Sequence, residues 1–242
     1  MSGSPLLIIG AGQSGLATAH AAARRGVRTL VLDAADQAGG SWPHYYDSLV
    51  LFSPARFSAL PGRRLPGDQD RYPLRDEVVA YLRAYAADLD ADIRYGQRVT
   101  SVVRDRGGFT VTTADGARIG GRAVIAASGG FSRPHRPALP GLAAFTGTAL
   151  HTADYRAPEP FAGQRVVVVG GGNSGVQIAA ELARVARVSL ATRAPVAWVD
   201  QCPLGRDIHW WFVRSGLDAA PLREVWQKGP TLVNDDGRYR AA

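Results

Sequence analysis

Leu6-Leu7-Ile8-Ile9-Gly10-Ala11-Gly12-Gln13-Ser14-Gly15 is the stretch that decides the reading of this chain. Four apolar residues run without a break into a glycine, the pattern of a strand buried on both faces. Gly10, Gly12 and Gly15 then satisfy G-x-G-x-x-G. An alanine-rich stretch from Gln13 to Arg25 has helical character, and Gly26 stands where a C-capping glycine would. Thr29-Leu30-Val31-Leu32 is a second apolar strand, ending on Asp33. Each part has a physical purpose. Gly10 permits the tight turn, Gly12 lets the backbone approach a pyrophosphate, and Gly15 lets helix and strand pack closely. Gln13 and Ser14 open the helix, where free N–H groups and the helix dipole favour an anion. Asp33, 18 residues past Gly15, is spaced to accept bonds from a ribose diol.

The pattern returns 160 residues later. Val166-Val167-Val168-Val169 leads into Gly170-Gly171-Gly172-Asn173-Ser174-Gly175, a helix is expected to about Arg187, and Val188-Ser189-Leu190-Ala191 reads as the next strand. Gly10/Gly170, Gly12/Gly172, Ser14/Ser174, Gly15/Gly175, Ala19/Ala179, Arg24/Arg184 and Leu30/Leu190 repeat in register. Two motifs of one design imply two dinucleotides. The position matching Asp33 is Arg193. An acid suits a free ribose diol and repels a 2′-phosphate; an arginine suits that phosphate. The first site is therefore expected to hold FAD or NAD, and the second NADPH, with Thr192 adding a hydroxyl to the phosphate. Hydride transfer from NADPH to a bound flavin is the simplest use of two such sites.

Composition narrows the class. The chain has 242 residues, 46% hydrophobic and 20% charged, which is globular rather than disordered. Its net charge is +7, almost all from scattered arginines, with Lys228 the only lysine. No dense basic run points to nucleic acid. No apolar run reaches the ~20 residues of a membrane span. The apolar stretch from Pro5 to Ala23 lacks a basic flank and is broken by glycines, so a cytoplasmic protein is expected. One cysteine, Cys202, excludes a dithiol redox centre within these residues, and no metal site is expected. A short-chain dehydrogenase dyad, Tyr-x-x-x-Lys, is absent because residue 224 is not tyrosine.

Between the motifs, about Ile93 to Ile125 reads as a strand-rich insertion. Its strands are Gln97 to Arg104, Phe109 to Thr113 and Arg118-Ile119, with turns at Gly107-Gly108 and Asp115-Gly116. Ala123 to Ala127 is a buried strand expected to return to the first sheet. Phe131 to Pro140 carries three prolines and reads as a linker. Val78, Val79, Leu82, Ala86 and Leu89 mark a core-facing helix over Arg75 to Leu89, with Asp76 near its start. Nothing in the sequence assigns a role to Arg71-Tyr72-Pro73 ahead of it.

Together these residues resemble the flavin-dependent monooxygenases of the flavin-containing type. Gly39-Gly40-Ser41-Trp42 is similar to the family's Gly-Gly-x-Trp, which lies against the flavin. Ala127-Ser128-Gly129-Gly130, running on to Pro140-Gly141, resembles its Ala-Thr-Gly segment. Phe145, Gly147, His151 and Tyr155 match F-x-G-x-x-x-H-x-x-x-Y. The resemblance implies an α/β fold with two Rossmann-like dinucleotide-binding domains and a small β-rich insertion. It implies FAD at Gly10, Gly12, Gln13, Ser14, Gly15, Asp33, Gly40, Ser41, Trp42 and Val99. It implies NADPH at Gly170, Gly172, Asn173, Ser174, Gly175, Thr192 and Arg193. The implied chemistry is reduction of FAD by NADPH, formation of a C4a-hydroperoxyflavin with O2, and oxygenation of a small organic substrate. The cofactor carries that chemistry, so no catalytic side chain is assigned. His151 is carried as a structural or gating residue.

Two departures accompany the resemblance. The family's Asn-Thr-Pro is replaced by Leu51-Phe52-Ser53-Pro54, and phenylalanine cannot donate the asparagine's hydrogen bond. Either another donor serves, or the chain acts as an NADPH–flavin reductase or oxidase without oxygenation. The chain also ends 67 residues past Gly175, where no closing strand is read in Asn234-Asp235-Asp236-Gly237. The expected organisation is an FAD-binding domain over 1–130 lacking its C-terminal part, a linker over 131–164, and an incomplete NADPH-binding domain over 165–242. Trp198, Trp210, Trp211 and Trp226 are expected to be surfaces awaiting cover. A truncated non-catalytic nucleotide-binding protein is the remaining alternative. The oligomeric state is not readable.

Overall fold

The structure is a computed structural model describing residues 4–105, 107–131, 133–220 and 232–235. In chain order its elements are β1 (Leu6–Ile9), α1 (Gln13–Ala23), β2 (Thr29–Leu32), α2 (Ala55–Ser58), α3 (Arg75–Ala87) and β3 (Asp92–Arg94). There follow β4 (Val99–Asp105), β5 (Gly108–Thr113), β6 (Arg118–Gly121), β7 (Ala123–Ala126), β8 (Arg165–Val169) and α4 (Asn173–Leu182). The last are β9 (Arg187–Ala191), β10 (Ala197–Asp200), α5 (Ile208–Ser215) and β11 (Leu232–Asp235).

The first sheet is parallel throughout, in the order β3-β2-β1-β7. Its centre is the apolar run that opens the chain. Leu7 and Ile8 are both fully buried but on opposite faces, as a central parallel strand requires. Ile8 and Val31 pack with Leu16 and Ala19 of α1 and with Val78, Leu82 and Tyr85 of α3. Leu7, Leu30 and Leu32 pack with Val111 of β5, so the antiparallel meander β4-β5-β6 roofs the other face. The helix over Arg75 to Leu89 thus buries the expected apolar stripe, ending two residues early at Ala87. β7 returns to pair with β1, as its apolar pattern implied. Ile93, by contrast, belongs not to the insertion but to the edge strand β3, paired in parallel with β2. Its three-residue length and mixed charge disguise a strand whose register comes from its neighbour.

Among the described residues the second half repeats the strand–turn–helix–strand design in a two-stranded sheet. β8 and β9 pair in parallel. Val168 is buried with Ile178 and Leu182 of α4, whereas Val167 and Val169 on the opposite face are 64% and 61% exposed. α4 stops at Leu182, short of the expected Arg187, because Ala183 to Ala186 turn the chain directly into β9. The tail corrects the sequence reading. Leu232–Asp235 is a strand, paired in parallel with β10, and Val233 is fully buried. Its polar end hid it; the neighbouring strand supplies the pairing. Trp198, Trp210 and Trp211 are half-buried rather than open surfaces. Trp210 and Trp211 meet edge to face at 4.7 Å, and the Trp211 indole donates to the Pro203 carbonyl at 3.0 Å. Trp226 lies outside the described residues. No helix among the described residues is long and apolar enough to cross a membrane.

Candidate functional site

Both glycine-rich turns are built the same way. Gly10 and Gly170 hold φ of +108° and +114°, open to glycine and strained for other residues. Gly10 N–H donates to Leu32 O at 2.8 Å, and Gly170 N–H to Ala191 O at 2.9 Å, so each turn is stitched to the second strand of its unit. A Cβ on Gly15 would collide with the Gly10 carbonyl, and one on Gly175 with the Gly170 carbonyl. Each third glycine therefore allows its helix to sit directly on the turn.

The N-termini of α1 and α4 differ from those of α3 and α5. α3 and α5 are capped by acids: Glu77 accepts from the Leu74 N–H at 2.8 Å, and Asp207 from the His209 N–H at 2.8 Å. α1 and α4 begin on Gly12 and Gly172, with no side-chain cap and no acid in the first turn. Their positive dipole ends and N–H groups stand ready for a ligand anion.

The first turn gathers most of its expected partners. Gly40 lies against Gly12 so closely that a Cβ on Gly40 would come within 2.9 Å of the Gly12 Cα. The Trp42 indole donates to the Gln13 side-chain oxygen at 2.7 Å, tying the Gly-Gly-Ser-Trp segment to the start of α1. Ser41 sits beside Tyr45, its hydroxyl 3.4 Å from the phenol, and Ser14 is exposed at the helix start. Asp33 is buried at the end of β2. One of its oxygens accepts from the Ala11 N–H of the glycine turn and the other from the Ala35 N–H at 2.8 Å. A carboxylate has about four acceptor sites, so capacity for a diol remains. Burial and the Asp33 charge together push the Tyr95 phenol upward, keeping it neutral. Val99 opens β4 and packs on the Leu7–Leu32 cluster; its side chain is part of that core.

Around the second turn, Thr192 packs on the glycine loop, its methyl 2.8 Å from where a Gly171 Cβ would stand. Asn173 and Ser174 begin α4, and Arg193 is exposed just beyond β9. His151 is part of a turn, its Nδ1 accepting from the Ala153 N–H at 3.1 Å.

The sequence did not reveal a polar cluster between the two halves. Asp207, at the start of α5, accepts from the Tyr72 hydroxyl at 2.5 Å and the Gln201 amide at 2.7 Å. It also accepts from the His209 backbone, and its Oδ1 lies 2.8 Å from His209 Nδ1. Gln201, only 3% exposed, also donates to the Phe52 carbonyl at 2.9 Å. The His209 ring stacks near Phe52 and Phe57, at 6.1 and 6.3 Å. Burial works to raise the Asp207 carboxyl, but the bonds from Tyr72, Gln201 and His209 outweigh it and hold it below the usual carboxylate range. The same surroundings, burial first, push the Tyr72 phenol far up. Asp207 ahead of the apolar run Ile208 to Val213 is a recognisable N-cap signal. Tyr72 and Phe52, over a hundred residues away, carried none.

The geometry defines a protein with two FAD/NAD(P)-type Rossmann-like folds, each presenting a glycine-rich turn to an uncapped helix. A model of the pyridine nucleotide-disulphide oxidoreductase family matches residues 7–202. A CzcO-like oxidoreductase of Geobacillus kaustophilus is 35% identical over 212 residues, 88% of this chain and 61% of its own length. Indole-3-pyruvate monooxygenase YUCCA1 of Oryza sativa subsp. japonica is 40% identical over 181 residues, 74% of this chain and 45% of its own. The solved structure of a flavin-containing monooxygenase from Stenotrophomonas maltophilia superposes with a TM-score of 0.80 at 40% identity, covering 88% of this chain and 64% of that one. The chain belongs to the pyridine nucleotide-disulphide oxidoreductase family and to the flavin monooxygenases. It spans about half to three fifths of the length of the curated relatives it matches.

Proposed function

We propose that this chain binds FAD on the first turn and NADPH on the second, as part of a cytoplasmic flavin-dependent monooxygenase. Its substrate is a small organic molecule oxygenated with O2, with no nucleic-acid or membrane partner. Residues 1–130 hold the flavin, 165–242 hold the nicotinamide nucleotide, and 131–164 join them. The single observation that carries this reading is the contrast between two otherwise matching cradles: buried Asp33 after β2 and exposed Arg193 after β9. The acid favours a free ribose diol and the arginine a 2′-phosphate.

The residues present suit both groups. The Gly12–Gly40 contact leaves bare backbone where a pyrophosphate needs close approach, and no acid stands at either helix start to repel it. Gly12, Gln13 and Ser14 would hold the FAD pyrophosphate, Asp33 its ribose, and Gly40-Ser41-Trp42 the wall beside the ring. Gly172, Asn173 and Ser174 would hold the NADPH pyrophosphate, with Thr192 and Arg193 on the 2′-phosphate. Bound flavin supplies the electron transfer and oxygen activation. The protein aligns the two nucleotides and limits water.

An absorption spectrum of the purified protein, before and after anaerobic NADPH, tests this reading. Yellow protein whose flavin bands bleach faster with NADPH than with NADH supports both sites. Colourless protein that takes up no added FAD refutes it. Measuring product and H2O2 per NADPH then separates a monooxygenase from a reductase or oxidase.

A further inference from the structure

We propose that His209, held by Asp207, is the proton donor for oxygenation of a small substrate beside Phe52 and Phe57, a step that rests on the reading above. The Asp207 carboxylate receives three donors, from Tyr72, Gln201 and the His209 backbone, and its Oδ1 lies 2.8 Å from His209 Nδ1. Those donors favour the ionised carboxylate. An ionised carboxylate only accepts, so the ring hydrogen facing it sits on Nδ1. Nε2 is then the atom that takes up and releases a proton, pointing away from Asp207.

No hydrogen bond reaches Nε2 from the described residues. Phe52 and Phe57 lie near-parallel to the ring, at 26° and 25°, and Phe212 meets it edge-on at 6.0 Å. The ring is partly open to solvent, so one nitrogen is fixed on Asp207 while the other, beside Phe52, Phe57 and Phe212, stays accessible to a ligand. The location also favours ligand contact. α5 follows the carboxyl end of the parallel strand β10, where α/β sheets bind ligands. Phe52, Phe57 and Tyr72 come from the first half of the chain and His209 from the second, so the ring lies where the two halves of the chain meet.

The overall balance consumes one proton, which this residue would deliver. For a thioether, R–S–R′ + O2 + NADPH + H⁺ gives the sulfoxide, NADP⁺ and H2O. Sulfur and NADPH each give two electrons and O2 takes four. One oxygen joins sulfur, while the other leaves as water, with one hydrogen that balances the hydride given by NADPH and the other the proton from Nε2. Solvent then reprotonates the imidazole. Asp207 is the positioning residue.

The test uses the full chain loaded with FAD and methyl phenyl sulfide as the probe substrate. His209→Ala and His209→Gln are expected to lose sulfoxide formation by about 10²-fold or more, with the NADPH consumed appearing as H2O2. Anaerobic bleaching by NADPH reports that flavin and nucleotide are still bound. Added imidazoles are expected to restore His209→Ala at rates that follow the pKa of each imidazole. Nitrogen NMR of the wild type, needing no turnover, is expected to show the ring hydrogen on Nδ1. Wild-type sulfoxide yield in both variants, rescue indifferent to imidazole pKa, or an Nε2–H neutral tautomer each overturn the proposal. Wild-type protein that NADPH does not bleach, or that bleaches and yields only H2O2, overturns the monooxygenase reading and this step with it.

Discussion

Gly15→Ala puts the cradle argument under most strain, because two opposed effects can be weighed. Gly15 lies in the first turn of α1, where alanine is the better helix former by about 1 kcal/mol. Propensity alone makes the variant more stable. The added Cβ, however, would fall well inside 3.0 Å of the Gly10 carbonyl oxygen, a separation real Cβ atoms essentially never show. The obstacle is backbone at the end of β1, not the yielding tip of a side chain. Helix and turn must part by roughly an ångström, and overpacking of this kind costs about 1–3 kcal/mol. The clash therefore cancels or exceeds the propensity gain. Function is the more sensitive readout. A ~1 Å shift of a positioned group can cost on the order of 10²-fold, so FAD affinity is expected to fall 10- to 100-fold. Flavin fluorescence titration and thermal melts measure both terms. Gly175→Ala is the internal control: it should weaken NADPH while FAD content stays at the wild-type level. A Gly15→Ala protein that is more stable and binds FAD normally would refute the claim that this contact shapes the cradle.

Three further outcomes follow from named contacts. Arg193→Ala should lower the NADPH-over-NADH preference in flavin bleaching about 10- to 100-fold, the range of a charged hydrogen bond of about 1.5–3 kcal/mol; an unchanged preference removes Arg193 from the 2′-phosphate. Asp207 has its carboxyl pKa lowered in the folded state, with burial opposing and the bonds from Tyr72, Gln201 and His209 prevailing. The stability it contributes is therefore present above the unfolded pKa of about 3.9 and is lost as pH falls through the lower folded value; Asp207→Asn should flatten that part of an acid-unfolding curve. Tyr72→Phe deletes one donor to the charged Asp207 carboxylate, so it should cost about 1.5–3 kcal/mol in urea unfolding and move the acid transition to higher pH. No shift of that transition would show that the Tyr72 bond does not hold Asp207 ionised.

The parts of the fold legible in the sequence are those set by neighbouring residues. β1 and β2 fall where four-residue apolar runs place them, α1 starts at Gln13 directly after Gly12, and β7 rejoins the first sheet. Elements that depend on a distant neighbour were harder to read. Asp92–Arg94 and Leu232–Asp235 show little strand pattern of their own, and each is a strand because a parallel partner offers its backbone.

The same division holds at the site. Gly10, Gly12, Gly15, Asp33 and their second-copy counterparts announce themselves because a phosphate cradle is a local device, with every essential residue within one strand–turn–helix–strand unit. Asp207 shows its N-cap pattern, but neither its donors Tyr72 and Gln201 nor the Phe52–Phe57 frame around His209 is visible along the chain. Tyr72 reaches Asp207 across 135 positions and Gln201 reaches Phe52 across 149. Short-range spacing, through glycine's backbone freedom and the periodicity of strand and helix, determines the two strand–turn–helix–strand units on which the proposed nucleotide sites rest. The meeting of side chains between the two halves arises only when the core closes, because hydrogen bonds and ring packing depend on distance in space, and folding alone brings those residues together.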